Sequence, residues 1–480
     1  MAIKQQQLYI NGEFITFSGN KWIDVLNPAT EEVISQVPDA GVDEVHAAID
    51  AAEGAQNNWE DLPAQERGVW LHKIAAGIRA REQELTDIII AEGGKTHGLA
   101  NTEVLFTADY LDYMAEWARR YEGEIVQSDR RNENIFVFKK AIGVTTGILP
   151  WNFPFFLIAR KAAPALITGN TIVIKPSQLT PNNAIAFAEI VHEVGLPKGV
   201  FNLITGRGSV VGQELAANAK VGMVSLTGSV AAGEQTMAAA AKNITKVSLE
   251  LGGKAPAIVM DDADLDLAVK AILDSRIINT GQVCNCAERV YVQEGIKEEF
   301  IARMTEAFKQ VKFGDPAQEK MLDMGPLIDA AALKSVQDKV DNAVAQGARL
   351  ITGGHRAGNK GYFFQPTLLV DVQQEMDIMH EETFGPVLPI TSFCTLDEAV
   401  QMANDCEFGL TSSIYTRDLN TAMTAIKRLK FGETYINREN FEAMQGFHAG
   451  WRKSGIGGAD GRHGLEEYLQ THVVYLQYQA

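Results

Sequence analysis

Two short segments carry the side chains best suited to chemistry, Glu250-Leu-Gly-Gly-Lys254 and Asn279-Thr-Gly-Gln-Val-Cys284-Asn-Cys286. A cysteine attacks a carbonyl carbon as its thiolate, and a carboxylate takes a proton from the water that later releases the acyl group. Cys284 and Glu250 supply those two groups, and polar Gln282 and Asn285 flank the thiol. From residue type alone the alternatives stay open: a free cysteine is among the most buried residues, and a glutamate on a turn can serve as a cap. Cys286, two positions beyond Cys284, could close a reversible disulfide with it.

Composition narrows the setting. A chain of 480 residues is too long for one ordinary core and suggests two or three domains, and 46% hydrophobic with 22% charged residues is the composition of a folded, water-exposed protein. A net charge of -18 repels nucleic acid, and the densest basic pairs, Arg119-Arg120 and Arg130-Arg131, are flanked by acids. The N-terminus lacks the charged start and apolar run of a signal peptide. The most apolar stretch, 144–159, is broken by Asn152 and two prolines and stops at Arg160-Lys161, too short for a bilayer. Four cysteines in so long a chain make no disulfide framework. A cytoplasmic protein with no membrane partner and no metal site is expected.

The elements that must position Cys284 and Glu250 follow from periodicity. Residues 8–37 alternate around Asn11-Gly12 and Pro28, the pattern of short strands and turns, and Leu71, Ile74, Ala75 and Ile78 fall on one helical face. From Gly143 strands alternate with helices: strand 171–174, helix 182–194, strand 200–204, a helix after Gly208, strand 222–226. A second alternating block over 255–431 holds strand 257–260, a helix from Asp264, strand 290–292 and an amphipathic helix around Phe300 and Met304. Both blocks have the signature of a parallel sheet, with the boundary near Gly252-Gly253.

Glycines at strand ends raise the question of a cofactor. Gly206-Arg-Gly208-Ser-Val-Val-Gly212 misses the dinucleotide fingerprint by one residue and could equally be an ordinary strand-to-helix turn. Thr227-Gly228-Ser229 adds a hydroxyl and free amides at a helix start, where partial positive charge favours phosphate.

Six segments in order, Pro150-Trp151-Asn152-Phe153-Pro154, Ile174-Lys175-Pro176-Ser177, Thr227-Gly228-Ser229, Glu250-Leu-Gly-Gly-Lys254, Gly281-Gln-Val-Cys284 and Glu382-Thr-Phe384-Gly-Pro386, complete the pattern. Their sequence and spacing resemble the motif series of the NAD(P)-dependent aldehyde dehydrogenase superfamily over nearly the whole chain. The resemblance implies an α/β fold with a Rossmann-type cofactor domain over 1–122 and 142–252 and a catalytic domain over 253–453. A small β arm over 123–141 and 466–480 would join subunits into a homodimer or homotetramer.

It also implies roles. Cys284 would add to an aldehyde, with its own backbone N–H and the Asn152 amide holding the oxyanion, and Glu250 would activate the hydrolytic water. Lys175 is expected at the adenosine ribose, Ser229 at the pyrophosphate, and Glu382 with Phe384 at the nicotinamide ribose, while Leu149, Trp151, Gly208 and Gln213 line the cleft. Many NAD-preferring relatives carry a carboxylate where this chain has Gln178. NAD is the expected cofactor, and neutral Gln178 leaves NADP open.

Where relatives place aromatic residues around the aldehyde, this chain has Arg160 and His448, with Glu442 and Asn285 joining them as substrate contacts. A short hydroxyaldehyde, lactaldehyde or glycolaldehyde, suits such donors. The alternatives are a semialdehyde whose carboxylate Arg160 would hold, and a catalytically silent homologue. At the level of residues, Arg160 could instead pair with an acid and His448 could be a satisfied loop histidine.

Overall fold

The computed structural model describes residues 3–479; Met1, Ala2 and Ala480, at the ends of the expected cofactor and arm segments, lie outside the described residues. An eight-stranded sheet has a parallel centre in the spatial order Lys246–Glu250, Val221–Thr227, Val144–Ile148, Thr171–Lys175, Phe201–Leu203. Chain order reverses between Val144–Ile148 and Val221–Thr227, and in doubly wound sheets the crevice beyond the carboxyl ends at such a point holds the ligand. Gly455–Ile456 and the hairpin of Leu8–Ile10 with Glu13–Ile15 close the edges antiparallel.

The helix Phe156–Ile167 packs under this crevice with every residue buried. The apolar run therefore does not stop at Arg160-Lys161, as read from sequence, but continues through both cations. Each has an acid inside the fold: Arg160 pairs with Asp460, and Lys161 lies 3.5 Å from Glu250. The helix expected after Gly208 also differs. It begins as a wide π turn over Gly208–Gly212, and only Gln213–Ala217 is α-helical. Two glycines and two β-branched valines in five residues make a poor α-helix. Leu71, Ile74, Ala75 and Ile78 are all fully buried on the helix Ala64–Ala80, as their period requires.

The second sheet has seven strands in the order Arg349–Thr352, Thr367–Val370, Val387–Phe393, Ala287–Gln293, Ala255–Val259, Thr411–Tyr415, Glu433–Ile436, parallel except at the Arg349–Thr352 edge. The chain first crosses from one sheet to the other over the four residues Leu251 to Lys254, since Glu250 ends one strand and Ala255 begins the other. A Cβ at Gly253 would lie 2.5 Å from the Cys284 carbonyl oxygen, so only glycine lets this crossing run against the cysteine loop. An antiparallel ribbon of Glu124–Gln127, Glu133–Ala141 and Leu469–Gln477 forms a separate small sheet. Among the described residues no helix is long and apolar enough to cross a membrane, and no group of three or more His, Cys, Asp or Glu could hold a metal.

One carboxylate ties the crossing to its surroundings. Glu288, 1% exposed, accepts from Lys254 Nζ at 2.7 Å, Arg276 Nη1 at 2.8 Å, and the backbone N–H groups of Thr383 and Phe384 at 2.9 and 3.2 Å. Burial pushes its carboxyl up, but the two cations and the hydrogen bonds outweigh that and hold it at about 2. Its ionic contribution to stability is complete above the ordinary carboxylate range and is lost as pH falls through about 2. Glu288→Ala would leave two buried cations unmatched and is expected to cost about 3–5 kcal/mol, read as a lower unfolding midpoint in urea.

Candidate active site

A cavity with an accessible volume of about 70 Å³ lies where the carboxyl ends of the first sheet meet the amino ends of the second. Cys284, Glu250, Asn152, Arg160, Asn285, Glu442 and His448 all line it, so the expected catalytic and substrate residues come together. A larger open groove of about 1280 Å³ beside helix Leu396–Asn404 is lined by charged side chains and none of these residues.

The Cys284 loop is built by strain. Asn279, Thr280 and Gly281 have φ of 46°, 60° and 73°, three left-handed residues in a row, of which two carry side chains and cost about 1–3 kcal/mol each. Asn279 Nδ2 donates to the Asn152 carbonyl at 3.2 Å, Thr280 Oγ1 to Gly325 O at 3.0 Å, and Gln282 Nε2 to Asn279 O at 3.0 Å. Gln282 Oε1 also accepts from Ile328 N, so it clamps the loop. The turn ends with Cys284 half-buried at the cavity.

Cys286 does not suit a reversible disulfide. Its Sγ lies in the core at 0% exposure, donates to Val283 O at 2.9 Å and receives Arg276 Nη2 at 3.0 Å. Burial pushes the thiol up to about 12, which leaves it protonated and a poor exchange partner.

Asn152 Nδ2 donates to Gln282 O at 3.0 Å, which orients the amide and leaves its second N–H for the cavity wall. Glu250, 5% exposed, accepts from Thr227 Oγ1 at 2.5 Å on one oxygen; the other, Oε1, is buried with no hydrogen-bond partner among the described residues. Burial pushes its carboxyl up, yet Lys161, Arg160 and His448 together bring it down to about 2, so it is ionised throughout the neutral range. Lys161 in turn donates to Ser225 at 2.8 Å.

At the far end the polar side chains pair with one another. Arg160, 5% exposed, forks onto Asp460 through Nε (3.0 Å) and Nη2, and Nη2 also reaches Glu442 Oε1 at 3.1 Å. Asn285 Nδ2 donates to Glu442 Oε2. His448 Nδ1 donates to Glu433 Oε1 at 2.5 Å. Burial works against the charged imidazole, but Glu433 and Glu442 prevail and hold it well above its ordinary value, so it stays protonated at neutral pH. Asp460 and Glu433 were not found in the sequence, where they stand far from Arg160 and close to His448 without any motif. Two cations inside an apolar helix were the available signal, because a buried cation needs an acid.

The residues expected at the cofactor border the crevice of the first sheet. Leu149 follows Val144–Ile148, its N–H bonded to Lys175 O at 3.0 Å, and the Trp151 ring meets the Phe384 ring edge-on at 5.5 Å. Ser229 caps helix Val230–Ala241, Gln178 is half-buried, and Gly208 and Gln213 are exposed on their turn. Lys175 is 4% exposed with the Pro176 carbonyl as its acceptor and no carboxylate; burial alone draws its ammonium down to about 8. A buried cation facing a strand-end crevice without an acid fits the hydroxyl-rich, anionic surface of a dinucleotide. Glu382 Oε1 accepts from Gly253 N at 2.8 Å, and burial followed by the charge of Glu288 raises it to about 7.

Comparison with known proteins accords with this geometry. The profile of the aldehyde dehydrogenase family matches residues 14–474. The chain is 70% identical to lactaldehyde dehydrogenase of Escherichia coli (strain K12) over 98% of its length and 99% of that protein. The crystal structure of the E. coli enzyme superposes with a TM-score of 0.99 over 99% of this chain and 100% of that one. An NADP(+) D-glyceraldehyde dehydrogenase of Thermoplasma acidophilum is 40% identical, covering 98% and 96% of the two chains. Betaine aldehyde dehydrogenase of Staphylococcus aureus in complex with NAD+ is 35% identical with a TM-score of 0.96 over 98% and 94%. With motifs, two-sheet fold and overall likeness agreeing, the chain belongs to the aldehyde dehydrogenase family, enzymes that oxidise aldehydes to carboxylic acids with NAD(P).

Proposed function

We propose that the enzyme oxidises a short, uncharged 2-hydroxyaldehyde, lactaldehyde or glycolaldehyde, with NAD as the preferred dinucleotide. The observation that carries the substrate class is the state of Arg160, whose guanidinium is already matched by the carboxylates of Asp460 and Glu442. A semialdehyde would bring its own carboxylate to a guanidinium that two acids neutralise, beside a third acid, Glu433. A hydroxyl needs only neutral hydrogen bonds, and a cavity of about 70 Å³ suits a short aldehyde. The 70% identity to a lactaldehyde dehydrogenase supports the same class.

In this reading Cys284 Sγ bonds to the aldehyde carbon, and the carbonyl oxygen becomes an oxyanion facing the Cys284 N–H and the Asn152 amide. Each donor of this kind is worth about 10²- to 10³-fold in rate. When bound, the nicotinamide supplies the acceptor for the hydrogen and electron pair that leave the adduct carbon. Glu250, ionised and with Oε1 free of protein partners, then takes a proton from the water that splits the thioester, and the Cys284 thiolate leaves. Lys175 and Gln178 would meet the adenosine ribose, and Ser229 the pyrophosphate at its helix start. Gln178 can hydrogen-bond hydroxyls without clamping a phosphate, which favours NAD.

Residues 253–453 form the catalytic domain in this reading, with 1–122 and 142–252 as the cofactor domain. The ribbon over 123–141 and 466–480 would be the oligomerisation arm. Its apolar Ile125 is 74% exposed and Phe138 47%, on a sheet whose outer edge strands are open, a surface that calls for a second subunit. Light scattering is expected to give a dimer or tetramer; a mass of one 52.4 kDa chain would overturn that assignment.

The deciding assay records reduced cofactor with lactaldehyde, glycolaldehyde, succinate semialdehyde and propanal, each with NAD and NADP. Higher kcat/KM for the hydroxyaldehydes with NAD is expected, and a preference for the semialdehyde would sink the substrate assignment. In the same assay Glu250→Gln should release about one reduced cofactor per Cys284 and then slow about 10²- to 10⁴-fold, as thioester accumulates. A pH series checks His448: its charge is retained below and through its ordinary range and lost only well above pH 6.5. The KM for lactaldehyde should climb with that loss while the KM for propanal holds steady.

A further inference from the structure

We propose that Asp460 is a positioning residue for substrate selection, which acts through Arg160 to present one edge of the guanidinium to the oxygen on C2 of the aldehyde. The inference rests on the hydroxyaldehyde reading and assigns selectivity to a residue outside the catalytic set.

Asp460 is 1% exposed, and its two oxygens take Arg160 Nε and Nη2 as a fork. Glu442 accepts the remaining hydrogen of Nη2. Among the described residues the hydrogen bonds of Arg160 leave from Nε and Nη2 and none from Nη1, and Arg160 lines the cavity that holds Cys284. A bidentate carboxylate prevents the planar group from turning, so the free Nη1 edge has a fixed direction.

The backbone gives independent support. Asp460 has φ 72° and ψ 162°, a region that glycine enters freely and other residues only under strain. A side-chain-bearing residue therefore stands where glycine would be easier, between Gly458 and Gly461. The strand bridge beside it holds the strain in place: His448 and Ala459 exchange both backbone hydrogen bonds at 2.9 Å, and Gly461 N donates to Met444 O at 2.9 Å. That bridge places Asp460 one residue from the partner of His448. One loop therefore sets the positions of both substrate-facing cations, one through its backbone and one through the Asp460 carboxylate.

The test compares kcat/KM for lactaldehyde and for propanal in wild type, Asp460→Gly, Asp460→Asn, Arg160→Leu and the double variant Arg160→Leu/Asp460→Gly. Asp460→Gly removes the carboxylate and relaxes the backbone, and near-isosteric Asp460→Asn serves if the glycine variant folds poorly. The expected result for the Asp460 variants is a loss of about 10- to 100-fold in the lactaldehyde to propanal ratio, carried by KM for lactaldehyde. Once Arg160 is replaced, Asp460→Gly should change the ratio no further. A parallel fall for both substrates, or an unchanged ratio, would show a merely structural ion pair and overturn the inference. A wild type with no preference for lactaldehyde would instead sink the substrate reading from which the inference starts.

Discussion

The carboxylate of Glu288 is the interaction on which the active site most depends. It stands at the start of one strand and gathers Lys254 from the crossing between sheets, Arg276 from helix Leu265–Ile277, and the backbone of Thr383 and Phe384. Arg276 goes on to the carbonyls of Gly281 and Ala287 and to the Cys286 sulfur, so the same charge cluster braces the cysteine loop from behind. In a low-dielectric interior such a cluster is stable only with every member present, since a lone buried charge costs several kcal/mol. That requirement couples the Glu250 crossing, the Cys284 loop and the Glu382–Phe384 loop into one rigid assembly.

A second cluster lines the cavity that Cys284 faces. Arg160, Asp460, Glu442 and Asn285 form one connected set of hydrogen bonds, and His448 with Glu433 forms a separate pair beside it, so that each charge has a partner. Pairing keeps the cavity polar without making it a site for ions. The charges of Arg160 and His448, with that of Lys161, hold Glu250 ionised, so this cluster and the Glu250 carboxylate are electrostatically linked. A base held so low is always ready to accept a proton but is weak, and the site accordingly relies on position more than on basicity.

Backbone strain also falls at these places. Asn279 and Thr280 precede Cys284, Phe384 faces Trp151, and Asp460 meets Arg160, each with positive φ. These residues survive in costly conformations because the buried clusters over-determine them, and the rigidity of the clusters is what makes such placement affordable.

The sequence by itself determined much of the molecule. The alternation of strands and helices marked both parallel sheets, the period of Leu71 to Ile78 marked a buried face, and the ordered motifs marked Cys284, Glu250, Asn152 and the crevice residues. These signals are local: side-chain period, turn chemistry and motif spacing are written in neighbouring residues. Only the tertiary structure decided that Cys286 is sealed in the core, that the Phe156–Ile167 helix runs on through two cations, and that Arg160 is already held by Asp460. Each of these depends on a partner brought from a distant part of the chain, 300 residues away for Arg160 and Asp460. Burial and ion pairing are properties of that meeting in space, and no pattern of adjacent residues encodes them.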